Sequence, residues 1–506
     1  MKLRVRLLNL DAGGKTIAII NDEDAAELGV HPLDRIVLTK GKKKITAIVN
    51  VTDRFVRPGE IIVYTEIKDI LGLKSRDFVT AILREELDSK KFIRKKIDGN
   101  ELSAEEIKVI IRDVVERDLN DLELAALVTG LHIHGMTLNE SLAMTNAMVG
   151  TGRKPNFSGI IVDKHSIGGI PGDKTTMIVI PIVAAAGLTI PKTSSRAITD
   201  PAGTADRVEM VAPVELSMKK IKEVVKKTGG CMVWCGSLNL APADDLLIQI
   251  ERPLEMDPLL IPSVMSKKKI FGSKYLVIDI PTGPEAKMKT REEAEKLAQS
   301  FIALGKHLGI RVDCAITQGN QPLGYAIGPA VEAREALQSL CNPEKAPKDL
   351  IDKAATLAGL IFQMVGKGNK KTAMKILLSG QAEKKFREII AAQGGNPKVK
   401  ASDIQIEKNA AKAQIKSKEA GRISYISNRV LIQIAKIAGA PKDRYAGIVL
   451  EKKIGDSVRK NDTLYTIYSE KKPKLRCAAS VAEENNGYII STKNMLIKEV
   501  NGIKRG

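Results

Sequence analysis

The stretch Asp163-Lys164-His165-Ser166-Ile167-Gly168-Gly169-Ile170-Pro171-Gly172-Asp173-Lys174-Thr175-Thr176 decides how this chain is read. A short apolar run, Ile160-Ile161-Val162, precedes it, and a longer one, Met177 to Ala186, follows. That order predicts a strand, a glycine-rich loop and a helix. Its glycines let the backbone close on a ligand and turn N–H groups inward. Lys164, Ser166 and Thr176 add a cation and hydroxyl donors. A loop of this make-up near a helix N-terminus suits a phosphate. Its spacing is neither that of a Walker A loop nor that of a GxGxxG turn, which excludes both of those readings.

The same pattern recurs outward from this loop. Tyr275 to Ile280 runs into Pro281-Thr282-Gly283-Pro284, and Thr290-Arg291-Glu292-Glu293 then caps a helix. Ile310 to Ile316 runs into Gly319-Asn320-Gln321-Pro322. Repeated strand, Gly/Pro loop and helix units predict a central α/β sheet domain over 156–340. Ligands in such sheets sit beyond the carboxyl ends of the strands, so the three loops are expected to converge on one cleft.

Residues 1–85 alternate apolar with charged side chains, as in Leu3, Val5 and Leu7 against Lys2, Arg4 and Arg6, and predict a small barrel-like β domain. Residues 86–155 predict a helical domain, opened by the capping box Ser103-Ala104-Glu105-Glu106. His132 and His134, two apart on a helix, face different sides and are read as structural or surface residues rather than metal ligands. A helical segment and connection follow over 341–420, loosely packed from 394, and an α+β domain over 421–506, with a helix from Arg429 to Ile437. The expected fold class is therefore a multidomain α/β protein.

At 506 residues and 43% hydrophobic content the chain can bury real cores. It has no run of 18 apolar residues, so no membrane span is expected. The N-terminus reads as a strand, not a signal peptide. Five cysteines, an odd number scattered through a large chain, point to a reduced, cytoplasmic setting. Cys231 and Cys235 lie four apart without the further ligands of a zinc site. The formal charge of +20 has three readings: a solvated surface, a basic cleft for small anions, or nucleic-acid binding. With 3% aromatics and no blocky basic tail, solvated lysines and an anionic small substrate are favoured over nucleic acid.

DKHSIGGIPGDKTT resembles the phosphate-binding signature of the thymidine/pyrimidine nucleoside phosphorylases, above all their archaeal, nucleotide-using branch. A second matching piece is Lys192-Thr193-Ser194-Ser195-Arg196-Ala197-Ile198-Thr199-Asp200-Pro201-Ala202-Gly203-Thr204. A third is Leu240-Ala241-Pro242-Ala243-Asp244, followed by Asp257 and by Ser263-Val264-Met265-Ser266-Lys267-Lys268. The three stand in the family's order and the likeness spans nearly the whole chain. It implies an N-terminal assembly domain, a helical domain that takes in part of 235–272, and a β-hammerhead-like C-terminal domain. It also implies phosphorolysis of nucleoside 5′-monophosphates: AMP and phosphate giving adenine and ribose 1,5-bisphosphate, extending to CMP and UMP, in nucleotide salvage. No cofactor, metal, nucleic acid or membrane is implied. The partners are nucleotide, inorganic phosphate and further copies of the chain, as a homodimer or larger assembly. The alternatives are a thymidine/pyrimidine nucleoside phosphorylase, a phosphoribosyltransferase, and a basic nucleic-acid-binding protein.

Phosphorolysis of an N-glycosidic bond needs a held phosphate, a stabilised ribosyl cation and a proton for the leaving base. By resemblance Lys164, Ser166, Thr176, Ser194 and Thr204 line the phosphate site; otherwise the hydroxyls are turn formers and caps. His165 either holds the loop or acts in it. The likeness assigns AMP to Gly169, Ser194, Ser195, Arg196, Ala197, Ile198, Thr199, Asp200, Thr204, Ser263 and Lys287. An arginine fork suits a phosphate monoester; the alternative pairs Arg196 with Asp200 or Asp206. Bacterial relatives carry Ser-Gly-Arg-Gly here, so Ser195 adds a donor that a nucleotide would use. Asp257 matches the family's proton donor to the base, a role that needs burial to raise its pKa; the alternative is an Asp-Pro turn or a surface carboxylate. Ser263 would contact the base and Lys287 the substrate. Two departures stand out. The Asp257–Ser263 segment is two residues shorter than usual, and Ile250 or Glu251 falls where the pyrimidine enzymes carry a base-binding arginine, with Arg252 one or two places away. Closure between the helical and α/β parts around the substrate is expected.

Overall fold

The computed structural model describes residues 1–84, 87–152, 154–197, 200–236 and 240–491. The chain forms two compact units: 1–151 with 242–258, and 152–241 with 259 onward.

The first unit opens with six strands, β1 (Lys2–Leu7), β2 (Ile17–Asn21), β3 (Arg35–Lys40), β4 (Lys43–Thr52), β5 (Glu60–Val63) and β6 (Phe78–Leu83). They close into a barrel in the order β1-β5-β2-β4-β3-β6, so no edge is left unpaired. Leu3 and Val5 point inward and Lys2, Arg4 and Arg6 outward, as their alternation requires. Helices Asp88–Ile97, Ala104–Val115, Asp121–His134 and Leu138–Thr151 follow, two of them opened by capping boxes at Ser103 and Asn120. The buried Lys96–Glu140 pair, 2.8 Å apart, ties the first of these helices to the last. His132 and His134 are both exposed, and His134 Nε2 lies 2.9 Å from the Ile97 carbonyl. The chain returns to this unit for helix Pro242–Leu254, which packs on Ala104–Val115 and Asp121–His134.

In the second unit the parallel strands β7 (Val162–Ser166), β10 (Tyr275–Thr282) and β11 (Arg311–Gln318) form a sheet in the order β11-β10-β7. Strands β8 (Ile190–Ser194) and β9 (Gly230–Trp234) form a parallel pair joined to β7 by the bridge Ile161–Thr189. Helix Thr175–Ala185, apolar all round, is buried against this sheet, which is where such a sequence must go. Helices Lys348–Met364, Lys370–Leu378 and Gln381–Gln393 cover the same core. The strand Ala411–Lys416 pairs antiparallel with Thr463–Ser469, so order resumes within the segment expected to be a loose connection. Its Ala411, Ala413 and Ile415 alternate with Lys412, Gln414 and Lys416, a strand pattern masked by small residues. Helix Asn428–Ile437 and helix Lys472–Glu484 pack on the C-terminal strands.

Candidate functional site

Glycines 168, 169 and 172 all take positive φ, which curls the loop after β7 into a cup. Lys164 ends buried beneath it, and its Nζ donates to Thr175 Oγ1 at 2.8 Å. Ser166 Oγ accepts from Gly168 N at 3.4 Å. Thr175 N is satisfied by Asp173 Oδ1, and Thr176 is buried in the first turn of the helix, its hydroxyl making no hydrogen bond among the described residues.

The other two carboxyl-end loops close on this cup. A β-carbon at Gly169 would fall 2.8 Å from Lys287 N, so only glycine admits the loop after β10 there. A β-carbon at Gly283 would fall 2.7 Å from the Gly319 carbonyl carbon, so the loops after β10 and β11 meet backbone on backbone. Gly319 N donates to Thr282 O at 2.8 Å, and Leu323 N to Pro171 O at 3.1 Å. The turn after β8 comes to the same place: a β-carbon at Gly168 would lie 3.9 Å from Asp200 Oδ2.

The electrostatics beneath the cup are dominated by buried cations. Lys268 pairs with Asp163 at 2.7 Å, Lys353 with Asp279 at 2.8 Å, Lys174 with Glu335 and Arg207 with Glu332, both at 2.5 Å. Lys164 and Lys192 have no carboxylate within salt-bridge distance among the described residues; Lys192 donates to the Thr193 carbonyl at 2.8 Å. Burial holds both amines below the ordinary lysine range, with Lys268 adding to the effect on Lys192. Half-buried His165 is pushed well below its ordinary value by burial and then by Lys268, Lys192, Lys267 and Lys164. Lys164 keeps the attraction of Asp173 and Asp279, whereas Lys268 and Lys164 crowd Lys192 with positive charge that a bound anion would offset.

Ser194 ends β8, its Oγ donating to Val233 O at 3.4 Å, and Ser195 is exposed. Gly203 lets the turn fold on itself, a β-carbon there falling 2.5 Å from Ala197 N, and sets half-buried Thr204 beside Ser195–Ala197. Arg196 forks onto Glu209 (2.8 and 2.9 Å), reaches Glu215 (2.9 Å) and Asp206 (3.3 Å), and lies 4.9 Å over the Trp234 ring. Ala197 N donates to Asp206 Oδ2 at 2.8 Å. Of the pairings weighed for Arg196 in the sequence, Asp206 is present, and Glu209 and Glu215 join it. Burial raises the Asp200 carboxyl, against the pull of Arg207 and Lys287. Ile198 and Thr199 lie outside the described residues.

Ser263 sits in the first turn of helix Leu260–Ile270, its Oγ accepting from Lys267 Nζ at 3.3 Å. Lys287 is exposed in the loop after β10. Asp257 belongs to the first unit, is exposed, and follows helix Pro242–Leu254. Cys231 and Cys235 are both buried, burial pushes the Cys231 thiol up to about 12, and neither joins a cluster of metal-ligating side chains among the described residues. No sequence signal marked Lys353 or Arg207 as parts of the site, and Lys192, though it opens the second motif, was given no role there. A single cation of this kind reads as surface unless its buried surroundings are known.

A glycosyl transferase family helical bundle domain matches residues 90–152, a glycosyl transferase family a/b domain matches 158–383, and a pyrimidine nucleoside phosphorylase C-terminal domain matches 422–488. The fold and the anion-seeking loop thus define a member of that glycosyl transferase family. The AMP phosphorylase of Methanocaldococcus jannaschii is 46% identical over 98% of this chain and 99% of its own length. Those of Thermofilum pendens and Thermococcus kodakarensis are each 44% identical over 99% of this chain, and 98% and 100% of their own. The chain belongs to the AMP phosphorylase family. Anthranilate phosphoribosyltransferase of Thermus thermophilus shares the fold, with a TM-score of 0.50 at 20% identity over 60% of this chain and 98% of that one.

Proposed function

We propose that this protein phosphorolyses AMP, with CMP and UMP as further substrates, releasing the base and ribose 1,5-bisphosphate in nucleotide salvage. The observation that carries this reading is the glycine cup over two buried amines that lack a carboxylate partner among the described residues. Inorganic phosphate is held by Lys164, Ser166, Thr176, Ser194 and Thr204, with N–H groups of the cup. One of its oxygens attacks C1′. The C1′–N9 bond breaks, its electron pair passes into the purine, and Asp257 delivers a proton to N7. Asp257 is exposed, so the desolvation its acid role requires comes with the bound nucleotide. Ser263 contacts the base, and Gly169, Asp200 and Lys287 the sugar side of the substrate. The 5′-phosphoryl group is met by the hydroxyls of Ser195 and Thr199. Arg196, with its fork engaged by Glu209, either holds the 194–200 turn in shape or exchanges a carboxylate for that phosphoryl group. Ala197, Ile198 and Thr199 also contact the nucleotide in this reading.

Chromatography of bases released from AMP, CMP, UMP and thymidine, with and without phosphate, tests the proposal. Phosphate-dependent adenine release is expected; thymidine turnover tenfold or more above that of AMP would place the chain with the nucleoside enzymes instead.

Assembly through the barrel is the second part of the proposal. Phe55, Phe78, Ile82 and Leu83 are each about half exposed on it. Replacing Phe78 and Ile82 together by serine should lower the oligomer size in light scattering. The odd number of cysteines, five, favours a cytoplasmic setting; no helix among the described residues is long and apolar enough to cross a membrane.

A further inference from the structure

The C-terminal domain holds the loop that carries Lys287. Glu285, two residues before it, accepts from Ser427 Oγ at 2.8 and 3.0 Å and from Arg429 N at 2.9 Å. Ser427 is at the same time the cap of helix Asn428–Ile437, accepting from Val430 N at 3.2 Å. The Tyr425 side chain also bonds Glu285. Burial alone would raise this carboxyl, yet the Arg429 N–H, Ser427 and Tyr425 together hold it below the ordinary glutamate value. The next side chain, buried Asn428, donates to Gly319 O at 3.0 Å and so grips the loop after β11. Lys453 Nζ reaches Pro322 O at 2.6 Å and Gly324 O at 3.0 Å, and Ile454 N reaches Gln321 Oε1 at 3.0 Å. Through Gly169, whose absent β-carbon leaves room for Lys287 N, the gripped loop abuts the phosphate cup.

We infer that Glu285 is a positioning residue: clamped at the start of helix Asn428–Ile437, it fixes where Lys287 stands against the nucleotide, and the C-terminal domain thereby sets nucleotide affinity. The inference rests on the proposed phosphorolysis for the role of Lys287, and on geometry alone for the clamp. A lost clamp displaces Lys287 without touching Lys164 or the hydroxyls of the cup. Its effect therefore falls on the nucleotide constant and spares the phosphate constant.

The test uses the full chain. Glu285→Ala should raise the KM for AMP about tenfold, with the KM for phosphate and kcat within about twofold of the parent. Glu285→Gln, which keeps an acceptor oxygen for Ser427 and Arg429, should recover most of that loss. Amide hydrogen exchange across 283–290 should quicken in Glu285→Ala and return toward the parent rate in Glu285→Gln. An unchanged AMP constant in the alanine variant overturns the inference. So do nucleotide and phosphate constants that worsen together with a lowered melting temperature, since that is a merely structural role. If the parent releases no base from AMP, the phosphorolysis reading fails, while unchanged exchange over 283–290 would separately sink the clamp.

Discussion

Lys164→Met separates binding from folding. The ammonium lies buried, bonded to Thr175 Oγ1 and to no carboxylate among the described residues. Methionine fills nearly the same volume. Removal of the amine breaks no ion pair among the described residues, because Lys353 stays 2.8 Å from Asp279 and 3.6 Å from Asp173, but both carboxylates lose the attraction of a nearby cation. Relief of the buried ammonium's desolvation opposes the attraction lost by Asp173 and Asp279, so the melting temperature should change little. A hydrogen bond to a charged group is worth about 1.5–3 kcal/mol. At about 1.4 kcal/mol per decade, the KM for phosphate should climb roughly 10- to 150-fold. Initial rates against phosphate at saturating AMP, with melting curves with and without phosphate, give both numbers. The parent should gain melting temperature with phosphate and the variant should gain little. A phosphate KM within about twofold of the parent, in a folded variant, would refute the reasoning.

Lys353→Met should behave in the opposite way. It leaves buried Asp279 and Asp173 without their shared cation, and breaking such a pair costs about 3–5 kcal/mol, read as a lower denaturation midpoint. Asp257→Asn cannot donate a proton, so kcat for AMP should fall about 10²- to 10⁴-fold while nucleotide binding by calorimetry survives. Asp173 reports on acid stability. Burial alone would raise its carboxyl, but Lys353 and Lys164 hold it well below the ordinary value. A lowered folded pKa contributes stability that is full above the unfolded value of about 3.9 and is lost as pH falls through the folded one. The parent midpoint should therefore drop below about pH 4, and Asp173→Asn, less stable at neutral pH, should show a shallower drop.

The α/β core was legible because its signals are local. Gly168, Gly169 and Gly172 mark a backbone that only glycine adopts readily, and Thr290 and Ser103 announce the helices that they cap. The barrel showed in the alternation around Leu3 and Val5. The strand Ala411–Lys416 was hidden because its inward residues are mostly alanine, and small side chains give a weak period. Partnerships distant in sequence were not legible either. Lys353 follows Asp352 in its helix and gives no sign of its partner, and only the folded sheet brings it to Asp279. The Glu209 and Glu215 clamp on Arg196 was likewise unforeseen, since neither glutamate belongs to a motif.

The first unit is discontinuous: residues 242–258 complete a bundle whose other helices end at 151. On the ribosome the barrel can close early, but the helices beside it must wait for the 107 residues (258 − 151) that separate those two points. At translation speeds of about 5–20 residues per second the wait is roughly 5–20 s, during which apolar helix faces stand uncovered. A fragment stopped at 151 would keep those faces bare for good, so useful dissection of this chain needs a graft of 242–258, not a simple cut.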